Sequence, residues 1–174
     1  MKTQISKRIM KRLAMLLVPL LAVGALTVAA QADNLAAKVN GNGIATMEAA
    51  ADDTVYGVLT KGDLFADNHF KIEVKVNADG SAKGTAHFVF GDEFANAWGA
   101  NAMTLECDID TGSVSEDGTV VLEGSSFEVD FDESGNVVFE EESPCEIIID
   151  PAGSFSLRWC SIPALNVNGH LEVN

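Results

Sequence analysis

The strongest chemical motif in the chain is Asp130-x-Asp132-x-Ser134-Gly135 followed by Glu141, which matches the spacing of oxygen ligands around a calcium ion in a helix-flanked loop. Here the flanks alternate apolar and polar residues with period two, so the segment reads as a β-hairpin turn. A loop over Asp132 to Asn136 pairs Phe131 with Val137 and Val129 with Phe139. That pairing sends Asp130 and Asp132 outward and puts Glu141 on the apolar side, and ligands on opposite faces cannot converge on one ion. A looser cation site is left on an outward ladder of Glu128, Asp130 and Glu140, where Glu128 is expected opposite Glu140 and like charges repel. Weak calcium binding there is the one cofactor this reading allows.

Three other groups of side chains could do chemistry. His69 and His87 fall diagonally on one outward face, but Lys71 opposite His87 opposes a bound cation. The irregular stretch 91–101 carries Phe94 and Trp98 four residues apart, and Asp92 is placed to cap a helical turn that aligns both rings. With Phe88, Phe90 and Trp159 they form the candidate ligand-binding set, as a lid or a lip over the core. The three cysteines allow one internal bridge: Cys145 is expected inward opposite Trp159 and Cys160 outward opposite Pro144, so Cys107 with Cys145 is the favoured disulfide. No Gly-x-Ser-x-Gly, His-Glu-x-x-His, phosphate-binding glycine loop or Cys-x-x-Cys occurs.

The elements that position these residues are marked by a repeated turn. Asn77-Ala-Asp-Gly80-Ser81, Ser115-Glu-Asp-Gly118-Thr119, Asp132-Glu-Ser-Gly135-Asn136 and Asp150-Pro-Ala-Gly153-Ser154 each place glycine where a three-residue hairpin loop needs positive φ. Used as register marks, they pair Phe70 with Phe88, Ile72 with Ala86, Ile147 with Leu157 and Glu146 with Arg158. Met103, Leu105, Cys107 and Ile109 form a further inward row, and Leu165 to Val173 reads as a last alternating strand. Shorter strands are expected at 43–48 and 54–60. Between Thr119 and Asp132 the apolar parity shifts from Val120 and Leu122 to Phe127, Val129 and Phe131, which calls for a bulge at Gly124 to Ser126. The expected fold is all-β, an antiparallel meander of about eight to ten strands rolled into a small soluble β-barrel or a curved β-sandwich.

Charge and composition set the setting. Lys2, Lys7, Arg8, Lys11 and Arg12 precede an uncharged apolar run that ends in Ala30-Gln31-Ala32, so residues 1–32 read as a secretory signal peptide and 33–174 as a single all-β domain. The expected location is secreted or periplasmic, with no integral membrane segment after cleavage. All 26 acidic residues follow the leader against six of the 11 basic ones, a formal charge of −20 that repels nucleic acid and anionic lipid. The functional expectation is a non-catalytic exported domain that binds a small apolar ligand inside the barrel or a surface partner. In the carrier form Phe70, Ile72, Phe88, Phe90, Phe127, Phe131 and Trp159 would line a cavity. The alternatives are an acidic surface or structural interaction protein with weak divalent-cation binding, and a hydrolase with a carboxylate site near the 91–101 loop.

Overall fold

The structure, a computed structural model, describes residues 35–174; the expected leader lies outside the described residues. Eight antiparallel strands follow one another around a closed barrel: β1 (Leu35–Ala49), β2 (Leu64–Asn77), β3 (Ser81–Phe90), β4 (Ala102–Val114), β5 (Val120–Phe131), β6 (Val137–Ile149), β7 (Phe155–Trp159) and β8 (Leu165–Asn168). The ring closes twice on β1, which pairs with β2 on one side and β8 on the other, and a short β9 (Glu172–Val173) adds to β1. One helix, α1 (Asp92–Ala97), interrupts the meander between β3 and β4. Among the described residues no helix is long and apolar enough to cross a membrane.

The four glycine-closed loops are hairpin turns, and Gly80, Gly118, Gly135 and Gly153 all have φ between 78° and 89°. In each loop the glycine N–H donates to the first residue's carbonyl, as from Gly80 to Asn77 at 3.0 Å. The expected registers of the β2–β3 and β6–β7 hairpins hold residue for residue, Phe70 with Phe88 and Glu146 with Arg158 included.

Alternation around the barrel sorts connections as well as side chains. The tight turns β2–β3, β4–β5 and β6–β7 fall at one end, while 50–63, 91–101 and 160–164 fall at the other, together with the tip of the β5–β6 hairpin. The second end is therefore the one built from irregular chain, where side chains can converge from several elements.

Four local expectations are corrected. Residues 54–60 are turns, not a strand, because the Asp53 carboxylate accepts the N–H groups of Val55 and Tyr56 at 2.9 and 3.0 Å and curls the chain. The last strand is split at Gly169, where the Phe70 and Phe155 rings press against the backbone and leave no room for a Cβ. Gly91, not Asp92, caps α1; its N–H is held by the Asn68 side chain at 3.0 Å.

The fourth correction concerns β5. The irregularity expected at Gly124 to Ser126 sits on β4 instead: Ile109 pairs with Gly124 and Thr111 with Glu123, so Asp110 is the extra residue. Gly124 is pressed so closely on β4 that a Cβ there would overlap the Asp108 carbonyl. β5 thus keeps one phase throughout, with Val120, Leu122, Ser126, Glu128 and Asp130 buried and Phe127 exposed. Phe127 and Phe131 share the outward phase with Val129, and they line no interior.

Candidate functional site

The uninterrupted phase of β5 carries two carboxylates into the irregular end of the barrel. Glu128 and Asp130 are each 6% exposed, next to Leu105 and Met103 of β4 in the ladder. On the other side, a bulge at Val138 changes the expected partners: Glu128 faces Glu141 and Asp130 faces Phe139, while Glu140 faces Val129. Glu141 consequently joins the inward carboxylates, and Glu140 stays on the outer, exposed side. The proposed trio of Glu128, Asp130 and Glu140 is not brought together.

Aromatic rings from β3, β7, α1 and the 50–63 loop form one cluster at this end. Trp159, at the end of β7, stacks on Phe90 at 5.3 Å, and Phe90 stacks on Phe94 of α1 at 4.6 Å. Phe94 meets Trp98 at 6.4 Å, and Trp98 meets the edge of Tyr56 from the 50–63 loop at 5.5 Å. The Trp159 indole N–H donates to Glu128 Oε2 at 2.5 Å, tying the cluster to β5. At the rim the Cys160 thiol donates to Glu141 Oε2 at 3.3 Å and lies 3.9 Å from the Tyr56 hydroxyl.

Phe88, Phe90, Phe94, Trp98 and Trp159 are therefore neighbours, as expected of a common set. All but Trp98 are buried in the core cluster, and Trp98 packs against it half-buried. Sequence reasoning missed Glu141, Tyr56 and Cys160 as members of this end. Parity sets Glu141 on the inner side, but its pairing with Glu128 depends on the Val138 bulge, and the others depend on turns whose course no periodicity encodes.

Comparison of the chain with protein-family models, curated proteins and solved structures finds no match.

The electrostatics of the end follow from its construction. Burial pushes the Asp130 carboxyl up to about 6. Burial also raises Glu128, against the Trp159 hydrogen bond that lowers it, with repulsion from Asp130 and Glu141 adding to the rise. Hydrogen bonding to Cys160 raises the Tyr56 phenol, and Glu141 adds to it. Among the described residues, Trp98 Nε1 and Asp130 Oδ1 are the buried side-chain polar atoms without a hydrogen-bond partner, and both belong to this end.

The described residues contain no group of three or more His, Cys, Asp or Glu side chains arranged to hold a metal ion. The calcium-like run resolves as a turn: Asp132 Oδ1 accepts the backbone N–H groups of Ser134 and Asn136, both at 2.8 Å. Its parity argument is nonetheless revised, since Asp130 and Glu141 both lie on the inner side.

All three cysteines are free thiols. Cys107 and Cys145 share the inner face as expected, but they sit on β4 and β6 with β5 between them, opposite Ser126 and Gly124. Two strand spacings, about 9.5 Å, exceed the reach of a disulfide. Interaction with the Cys145 thiol, then burial, pushes the Cys107 thiol up.

A groove of about 710 Å³ lies elsewhere, on the outer faces of β1, β7 and β8, lined by residues including Glu48, Ser154, Ser156 and Asn166. Neither of the unpartnered buried atoms lines it.

Proposed function

We propose that this chain is an exported, non-catalytic β-barrel binding domain whose ligand seat is the end formed by α1, the 50–63 loop and the β5–β6 hairpin. The observation that carries this reading is the pair of buried atoms without partners, a donor at Trp98 Nε1 and an acceptor at Asp130 Oδ1. Leaving such atoms unsatisfied costs about 1–3 kcal/mol each, so their persistence at one end points to a polar ligand. Export is supported by the basic and then apolar order of the first 32 residues.

The carrier form with an apolar ligand inside the barrel loses its motive, because Phe88, Met103, Leu105, Leu122, Ile147 and Leu157 fill the interior. The hydrolase reading is weakened at Glu128. A carboxylate pair acting on a glycosidic bond must flank a gap that admits substrate and water, and Glu128 is covered by the Trp159 indole.

A thermal-shift panel of sugars, amino acids, amines, carboxylic acids and alcohols tests the seat. Compounds that raise Tm in the wild type are expected to lose that effect in Trp98→Phe and Asp130→Asn. A stabilising compound indifferent to both substitutions would overturn the assignment.

A further inference from the structure

We infer that this seat takes a protonated amine, an ammonium head on an unbranched apolar stem, with the head at Asp130. The inference rests on the binding-domain reading above and adds the chemistry of the ligand.

The first argument is the acceptor. Asp130 is 6% exposed, and among the described residues its Oδ1 has no hydrogen-bond donor in reach. An ammonium N–H supplies that donor together with the compensating charge, which makes the resulting bond one of the stronger kind. A quaternary ammonium carries the charge without the N–H, and an alcohol carries the donor without the charge.

The second argument is the local charge. Asp130 and Glu128 lie two residues apart on one face of β5, and Glu141 faces Glu128 from β6. Beside them stand Met103 and Leu105 on β4, Trp159 on β7, the Cys160 thiol and the Tyr56 phenol, and the nearby connections add the acidic Asp53, Asp92, Glu93 and Asp132. Arg158 lies opposite Glu146 on the outer phase of β7, and Lys61 is exposed on its loop. Among the described residues no basic side chain pairs with these carboxylates, Asp130 and Glu141 both act on Glu128, and a monovalent organic cation at Asp130 compensates a buried charge.

The third argument is the aromatic residues at this end of the barrel. Phe139, 44% exposed, faces Asp130 across the ladder, and Tyr56 and Trp98 stand edge to face at the rim. Aromatic faces attract an ammonium and at the same time accept an aliphatic stem. A divalent metal fits this surrounding poorly. It needs about six oxygen ligands, whereas Glu128 is committed to Trp159, Glu141 accepts from Cys160 and Glu140 is outside.

Calorimetric titration of the intact domain with n-pentylammonium at pH 7.5 tests the inference, with 1-pentanol, tetramethylammonium and calcium as comparisons. Pentylammonium is expected to bind at least about tenfold more tightly than each of them, and Asp130→Asn to weaken it about 10- to 100-fold. Lowering the pH to 5 protonates Asp130 while the amine stays charged, so the wild-type affinity is expected to fall and that of Asp130→Asn to change less. Equal binding of 1-pentanol, or wild-type affinity in Asp130→Asn, overturns the inference. If pentylammonium fails while a neutral or anionic panel compound binds with dependence on Trp98, the amine class falls and the seat stands. If every binder ignores both substitutions, the seat falls with it.

Discussion

Asp130 sits in an environment that disfavours its charge, and that gives the folded state a specific pH dependence. Its carboxyl titrates near 6 in the folded chain against an ordinary value of 3.8. Between those values the folded state binds more protons than the unfolded state, so this group makes stability fall as pH rises through the window and level off above about 6. Removing the charge with Asp130→Asn is expected to raise stability at pH 7 by about 1–3 kcal/mol and to flatten the profile between pH 4 and 6. Urea denaturation at a series of pH values checks this; an unchanged slope would show that Asp130 is solvated. The sequence shows the carboxylate but not its face, because hydrophobic parity favours Phe127, Val129 and Phe131 over Ser126, Glu128 and Asp130, whereas the structure buries the second set. Where a strand turns polar residues inward, that count points the wrong way.

At the scale of elements, turns with a defined chemistry were readable and irregularities within strands were not. Each glycine loop announced its hairpin because positive φ restricts the residue type. The bulges at Asp110 and Val138 have no such signature, since any residue can be the extra one. Their effect is large all the same: the first keeps β5 in phase, and the second sets Glu141 opposite Glu128. Gly124 shows how the first is enforced. It lets β5 approach the Asp108 carbonyl, which a Cβ at this position would overlap. Gly124→Ala is expected to cost about 1–3 kcal/mol by forcing β5 off β4. A denaturation midpoint within error of the wild type would show that the two strands are not pressed together there.

For the whole molecule, the deciding question is whether the barrel encloses a ligand or a core. Eight strands enclose a space that side chains can fill or that one small ligand can occupy. The meander and the inward rows, read from the sequence, fit either case, because alternation fixes which residues point in and not how closely they meet. In the structure Phe88 is fully buried, with its ring 6.4 Å from that of Phe90, and Phe90 continues into the stack with Phe94 and Trp159. A ring in such a packed layer loses both its burial and its contacts when truncated, so Phe88→Ala is expected to cost about 3–5 kcal/mol in urea denaturation. A ring that merely lined a cavity would cost much less, since its inner side would have no protein atoms to lose. The same packing predicts that saturating hexadecanoate leaves the wild-type Tm unchanged. A small loss for Phe88→Ala together with stabilisation by hexadecanoate would return the interior to a carrier's cavity. The opposite pair of results leaves recognition to the end of the barrel, where Asp130 and Trp98 hold the polar atoms that the core cannot satisfy.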